Sequence, residues 1–342
     1  MIDLVVAGGG PAGLATAIHA ARAGLEVVVI EKRTGPIDKA CGEGLMPHAV
    51  RQLELLGATP AGKPFRGVRY LDGSHSVTAQ FGSGPGLGVR RRTLHESLLQ
   101  QTAAAGVTLV HEKIGPITQD GESVTVRVGR SGIRARYLAA ADGLHSPIRA
   151  DLGLERTAGR TRRWGIKRHI AVAPWSDVVE VYWSPEAGEA YVTPVADDCV
   201  GIAILTSRQG RFEQHLDAFP VLRELTDGHP YEPDRAAGPL RQRVRGRVAG
   251  RVLLVGDAAG YVDALTGEGL GLAFAAARLL VDSVVADSPG DYERQWRSTT
   301  RRYRLMTAGM LQAATSPVRS LIVPAASRLP RVFTGMVNLL AD

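Results

Sequence analysis

The chain opens with Ile2-Asp3-Leu4-Val5-Val6-Ala7, then Gly8-Gly9-Gly10-Pro11-Ala12-Gly13, then Leu14 through Ala23, Gly24, and finally Val27-Val28-Val29-Ile30-Glu31. The first apolar run predicts a buried strand and the glycines a tight turn. Residues 14–23 predict a helix stopped by Gly24, and the second apolar run a strand that ends on an acid. Each part has a task in holding a dinucleotide. Gly8 permits the turn, Gly10 lets the backbone approach a pyrophosphate, and Gly13 lets the helix lie close on the sheet. The helix N-terminus offers unpaired N–H groups and the positive end of a dipole to the phosphates. Glu31, followed by Lys32, places a carboxylate where ribose hydroxyls would bind. Nicotinamide and flavin adenine dinucleotides share this adenosine end, so the motif alone does not separate them.

With 342 residues, 44% hydrophobic and 22% charged, the composition is that of an ordinary globular protein of one large or two average domains. A net charge of +7 raises a nucleic-acid reading. Yet of 41 basic residues only Lys32, Lys39, Lys63, Lys113 and Lys167 are lysine. The arginines are scattered, with few aromatics among them to stack bases. An Arg-, Ala- and Gly-rich composition with anionic small-molecule ligands accounts for the charge, and no nucleic-acid partner is expected. Cys41 and Cys199 form neither a disulfide framework nor a metal-ligand spacing, so no metal is expected, and Cys199 reads as a small core residue. The chain starts directly on a strand, and no apolar run approaches the roughly 20 residues needed to cross a bilayer. No signal peptide or transmembrane segment is therefore expected, and a cytoplasmic location is the default.

Farther along, residues 46–57 and 92–105 read as helices stopped by glycine, 107–110 as a strand, and 124–137 as a hairpin. Residues 164–205 alternate as strands of a separate sheet. Two more signatures follow. Ala141-Asp142-Gly143 ends a strand-like run, and Val252 to Val255 run into Gly256-Asp257 and a turn leading to Gly267-Glu268-Gly269-Leu270. A strand-end carboxylate can accept hydroxyls of a sugar-like chain. The helix start near Gly267 can set N–H groups beside an electron-rich ring.

Together the three signatures resemble the glutathione-reductase-like FAD enzymes, in the branch of para-hydroxybenzoate hydroxylase and the geranylgeranyl reductases. The resemblance implies an α/β FAD-binding, Rossmann-like domain (residues 1–60, 88–160 and 245–290). It also implies an inserted β-rich substrate domain (61–87 and 161–244) and a helical C-terminal segment (291–342). It assigns Gly8, Gly10, Gly13 and Glu31 to the AMP half of FAD, with Pro11, Ala12 and Lys32 as further cofactor-binding residues. Arg91 falls near the flavin's phosphate and ribityl region and Asp257 to the ribityl or pyrophosphate portion. Asp142 and Gly143 match the family's cofactor-binding Asp-Gly element, Gly256 its Gly-Asp element, and Gly267, Gly269 and Leu270 would line the isoalloxazine. The hydroxylases usually carry His after Gly-Asp-Ala-Ala and Pro four residues later. Here these positions are Gly260, the reductase-like choice, and Ala264, which matches neither subfamily.

Lys39-Ala40-Cys41-Gly42-Glu43-Gly44 is similar to the Lys-x-Cys-Gly element of the geranylgeranyl reductases. Cys41 and Glu43 are the candidate catalytic residues, Glu43 as proton donor or base, against a reading in which the glycines only permit a tight crossing. Tyr191, Thr193 and Pro194 are candidates for the substrate pocket. His48, His95 and His169 show no partner pattern, and Trp164, Trp175 and Trp183 read as core or pocket walls.

The resemblance implies an FAD-dependent oxidoreductase with NAD(P)H as transient electron donor and a small apolar or aromatic substrate. Three readings stay open: a single-component monooxygenase, a reductase of isoprenoid C=C bonds, and a non-catalytic nucleotide-binding module. A second nicotinamide fingerprint and a Cys-x4-Cys pair are missing, which excludes a disulfide reductase, and no Trp-x-Trp-x-Ile-Pro element supports a halogenase. The tail beyond Met306, broken by Pro317, Pro324 and Pro330, is expected to pack on the back of the domain, with covering the pocket or touching a lipid surface as the alternatives.

Overall fold

In the computed structural model, which describes residues 1–157, 162–184 and 186–342, the glycine-rich stretch lies at the centre of a parallel sheet. Strand β1 (Ile2–Ala7) pairs with β2 (Val27–Ile30) on one side and with Ser131–Ala140 on the other. Thr108–Val110 and Val252–Leu254 extend the sheet on the two sides, also parallel, and Val248–Ala249 adds an antiparallel edge beyond 252–254. Leu4, Val5, Val6 and Ala7 are fully buried. Both faces of the sheet are covered, which is why this strand reads as an unbroken apolar run and not an alternating one. Helix α1 (Pro11–Arg22) packs against Arg91–Ala104 and Gly269–Val285.

Strand Ser131–Ala140 does two jobs. Its first half forms the expected hairpin with Val124–Val128, and its second half continues into the parallel sheet beside β1. The carboxyl ends of β1, 131–140 and 252–254 therefore share one edge. The loops carrying Gly8–Gly13, Asp142 and Asp257 leave from it, and such an edge is where open α/β sheets bind ligands.

A second, seven-stranded sheet runs in the order 235–237, 164–170, 199–206, 188–196, 179–184, 67–71, 76–80. All its neighbours are antiparallel except 67–71, which lies parallel to 179–184. Between the two sheets, Gly44–Leu45, Lys63–Phe65 and Gly86–Gly88 form a three-stranded sheet. Cys199 opens strand 199–206 and is half-buried, not a core residue, because it sits at the turn after Ala196.

The C-terminal segment is helical over Pro289–Ala314, Ile322–Arg328 and Pro330–Ala341. Pro317 and Pro330 open their elements, whereas Pro324 does not interrupt a helix. It sits in the first turn of 322–328, where a backbone N–H has no intrahelical partner to lose. Phe333, Val337 and Ala341 pack on Tyr70, Val77 and Ala79 of the second sheet. Burying Phe333 and Val337 stabilises this seat by roughly 1.5–3 kcal/mol each. Of the two placements open in the sequence, the tail takes the one over the pocket.

Candidate functional site

A cavity of about 900 Å³ runs between the two sheets. One end lies at Gly10, Pro11, Ala12, Gly143, Gly256 and Asp257, and its middle passes Lys39–Gly44. The far end is roofed by the C-terminal helices.

At the glycine-rich end, the chain is packed backbone on backbone. A Cβ on Gly13 would strike the carbonyl oxygen of Gly8, and one on Gly8 would sit 2.5 Å from the Ala141 carbonyl oxygen. Gly10 instead has nothing within 4 Å of where its Cβ would be. The turn is thus tight on the sheet side and open toward the cavity. His95 buttresses it. Its Nε2 lies 2.6 Å from the Gly9 carbonyl oxygen, and its Nδ1 accepts from the Ile37 N–H at 3.2 Å. These two partners require the neutral ring with its proton on Nε2. Burial lowers the pKa of His95 to about 4, in keeping with that form.

Glu31 is buried, and its Oε2 accepts from the Gly9 N–H at 3.0 Å. Its Oε1 accepts from the Arg33 backbone N–H and from Arg33 Nε. Burial pushes this carboxyl up, but the bonds from Arg33 and Gly9 outweigh it and hold the pKa below the usual value. Lys32 is exposed and lies off the cavity, while its neighbour Arg33 supplies the charge against Glu31.

Three polar groups at this end lack protein partners or face the cavity. Asp142 Oδ2 accepts from the Ile148 N–H at 3.1 Å, but its buried Oδ1 has no partner. The buried Nη1 of Arg91 is also unpartnered. Asp257 is exposed, and what it is exposed to is the cavity; desolvation by the surrounding walls raises its pKa, against the pull of Lys39 and Arg91. Gly267, Gly269 and Leu270 line the cavity at the start of helix Gly269–Val285. Glu268 between them is buried, with Oε2 2.9 Å from His48 Nδ1 and Oε1 unpartnered.

The Cys41–Gly44 segment crosses the middle of the cavity. Glu43 has a left-handed backbone (φ 60°), a conformation that costs a non-glycine residue on the order of 1 kcal/mol or more. Its carboxylate offsets that strain. Oε1 accepts from the Arg91 N–H at 2.7 Å and from Lys167 Nζ at 2.5 Å, and Oε2 lies 2.6 Å from His169 Nε2. Burial pushes the Glu43 pKa up, but His169 and Lys167 bring it below the ordinary value. Glu43 is therefore an ionised anchor with its acceptor sites filled by protein, a poor proton donor. Cys41 lines the cavity, and burial and the Glu43 charge raise its pKa, so it is a thiol and not a thiolate. Thr193 Oγ1 donates to the Gly42 carbonyl at 2.8 Å, and Tyr191 OH to the Leu265 carbonyl at 2.8 Å. Tyr191 and Thr193 line the cavity, but Pro194 does not, because alternate residues of strand 188–196 face opposite sides.

His48, His95 and His169 all have partners that sequence spacing did not show, as each partner lies at least 58 residues away. Lys167 and the buried cluster of Arg163, Glu189 and Asp263 behind Tyr191 were likewise invisible. Of the tryptophans, Trp183 lines the cavity, Trp175 donates to Glu180, and Trp164 is half-buried.

A family model described as an FAD binding domain matches residues 1–291. The chain belongs to this family. It is an FAD-dependent oxidoreductase. Menaquinone reductase of Mycobacterium tuberculosis is 30% identical over 337 residues, covering 86% of this chain and 79% of the relative. Digeranylgeranylglycerophospholipid reductase 1 of Methanopyrus kandleri is 31% identical over 307 residues, covering 81% and 78%. A flavoprotein/dehydrogenase from Cytophaga hutchinsonii superposes with a TM-score of 0.87 at 17% identity, covering 99% of this chain and 92% of that one, a likeness of fold. The flavoprotein's cavity fits the cofactor of its family. Gly10 leaves an open backbone face, and the unpartnered Asp142 Oδ1 and Arg91 Nη1 and the cavity-facing Asp257 await polar ligand atoms.

Proposed function

We propose that this flavoprotein reduces a carbon–carbon double bond in a long apolar chain of the isoprenoid type. The observation that carries the reading is the shape of the cavity. It continues from the glycine-rich turn, past Cys41, to an end walled by Trp183, Leu205, Ile322, Phe333, Val337 and Leu340. The charged lining residues, such as Lys39, Glu43, Arg91, Lys167 and Asp257, belong to the other half. An apolar chain that leaves water for such a tunnel gains roughly 0.8 kcal/mol per CH₂. The names of the two reductase relatives support the same substrate class.

In this reading Gly8, Gly10, Pro11, Ala12 and Gly13 hold the AMP half and the pyrophosphate, with Glu31 on the ribose. Arg91, Asp142, Gly143, Gly256 and Asp257 hold the pyrophosphate and ribityl chain, and Gly267, Gly269 and Leu270 lie along the ring. The flavin supplies the two-electron reduction, with NAD(P)H as the donor that recharges it. The protein's own residues orient and exclude water. The N-terminus of helix Gly269–Val285 favours negative charge beside the ring. Glu43 locks the Cys41–Gly44 segment to Lys167 and His169, and the Cys41 thiol holds its proton at Sγ on the cavity wall.

The test is anaerobic turnover of the reduced holoenzyme with menaquinone and with a geranylgeranyl lipid, read by mass spectrometry. A product that gains two hydrogens in its isoprenoid chain, and keeps them after air has reoxidised any quinol, supports the reading. A product that instead gains an oxygen atom in air identifies the monooxygenase, and a flavin that never exchanges electrons with any substrate identifies a binding module. Cys41→Ser is expected to keep FAD and lose most turnover; wild-type turnover would return Cys41 to packing.

A further inference from the structure

Between Glu293 and Asp342 the chain carries eight arginines and no Asp, Glu, Lys or His. Within this stretch, Val318, Leu321, Leu329, Val332, Met336 and Leu339 are all exposed, Leu321 at 59% and Leu329 at 58%. An exposed leucine by itself is ordinary, but six large apolar side chains within some twenty residues form a patch. Three of them have a second property. Leu329, Val332 and Met336 also line the cavity, so they form its lip and join its apolar interior to the outside. Arg328 and Arg331, both exposed, are the chain neighbours of Leu329 and Val332. Arg319 shares a small surface pocket with Asp72, and Arg302 donates to the Leu339 carbonyl, so neither is counted as free charge.

We propose that residues 317–341 seat this enzyme on an anionic lipid bilayer, with the cavity mouth against the acyl layer. Among the described residues no helix is long and apolar enough to cross a membrane, so the segment lies on the surface and does not span it. Short helices with apolar side chains beside arginine are suited to that interface: the apolar groups enter the acyl boundary and the guanidinium groups meet lipid phosphates. A second copy of the chain suits the patch less well. A symmetric pairing would set Arg328 and Arg331 of both copies together with no carboxylate from residues 294–341 to neutralise them. The inference stands apart from the reaction, since it concerns where the mouth opens and not what happens inside.

The holoenzyme is sedimented with vesicles of phosphatidylcholine alone and of phosphatidylcholine mixed with phosphatidylglycerol. Binding is expected to the mixed vesicles, weakening as salt screens the charges. Arg328→Glu combined with Arg331→Glu is expected to weaken it by roughly tenfold or more. Val318→Ser with Leu321→Ser, both outside the cavity lining, is expected to weaken it as well. Bound FAD, read by absorbance, reports in each variant that the fold is intact. Equal sedimentation with both vesicle types, or binding unchanged by these substitutions, overturns the proposal. So does a dimer, measured by light scattering, that Val318→Ser with Leu321→Ser dissolves while vesicle binding is absent. Failure of the reduction assay leaves the vesicle result unaffected, so the two readings fail separately.

Discussion

Glu43 Oε2 lies 2.6 Å from His169 Nε2, and this contact fastens the loop after β2 to strand Trp164–Ile170 of the second sheet. Lys167 from the same strand reaches the other oxygen, and the Arg91 N–H completes the set. One carboxylate therefore joins three parts of the chain at the middle of the cavity. Glu43→Gln keeps the shape but removes the charge between two buried basic groups. The expected loss is about 3 kcal/mol, at the low end for a broken buried pair because Asp38 still faces Lys167 at 3.1 Å. The folded pKa of Glu43 lies below its ordinary 4.5, so its contribution is present above that pH and is lost as the pH falls further. Urea unfolding of wild type and variant, repeated down the acid range, measures both effects. A variant as stable as wild type at neutral pH would sink the clasp.

His95 leads to a second acid effect at a different pH. Burial lowers its pKa from 6.5 to about 4, so the unfolded chain binds the extra proton first as the solution is acidified. Stability contributed by neutral His95 is complete above 6.5 and declines toward 4, by up to about 1.4 kcal/mol per pH unit. Because the ring holds the Gly9 carbonyl, the FAD affinity of the folded protein is expected to fall only as the pH nears 4, where the buried ring itself takes up a proton. Replacing His95 with Gln should weaken FAD binding at pH 7 and flatten that decline. Parallel pH curves for variant and wild type would rule the buttress out.

Glu189 works in the opposite direction. It is buried with Asp263 around Arg163, two carboxylates for one guanidinium. Burial, partly opposed by the Arg163 charge, raises its pKa to about 7 from 4.5. The folded state then holds a proton the unfolded state has released, so stability falls as the pH rises from 4.5 to 7. Glu189→Gln removes that cost and leaves Arg163 with Asp263. The variant is expected to match wild type near pH 5 and to melt higher at pH 8, as thermal unfolding at the two pH values would show.

Glu31 should matter for cofactor retention more than for folding. It is already held by Gly9 and Arg33, and a ribose would add hydroxyl donors to an ionised carboxylate. Such bonds are worth about 1.5–3 kcal/mol, so Glu31→Ala is expected to weaken FAD binding by roughly tenfold to a hundredfold. Titration of the apoprotein with FAD, followed by flavin fluorescence quenching, gives the number. Unchanged affinity would remove Glu31 from the ribose.

What the sequence made legible follows from how local each feature is. The turn at Gly8–Gly13, its strand and its helix obey rules written within some thirty residues, so they could be read directly. Asp142 and Asp257 were legible as strand ends, since a buried apolar run stopped by Asp-Gly or Gly-Asp marks the sheet edge. The partners of Glu43 were not. Lys167 and His169 lie more than 120 residues away and sit on a strand whose alternation predicts burial, not charge. Pro194 failed for a related reason: the strand was read correctly, but the face was not assigned, and one residue's step turns a side chain away from the cavity. The tail kept two placements because its apolar pattern serves equally to pack on a domain or to roof a pocket.

The roof also yields a test of what the cavity holds. Ala325 and Ala326 line it from helix Ile322–Arg328, where small side chains leave room between Ile322 and Leu329. Ala326→Phe adds a ring to that wall without a charge or a polar group. If an isoprenoid chain extends from the flavin end toward the C-terminal helices, the ring should shorten the space for it and spare the reacting end. The expected outcome is a higher KM for long-chain substrates, with kcat and KM for short-chain analogues near wild type and FAD affinity unchanged. Overpacking costs about 1–3 kcal/mol, so the thermal midpoint is measured alongside to separate a shortened tunnel from a loosened fold. If the variant handles every chain length alike and its midpoint is unchanged, the substrate does not run under this helix.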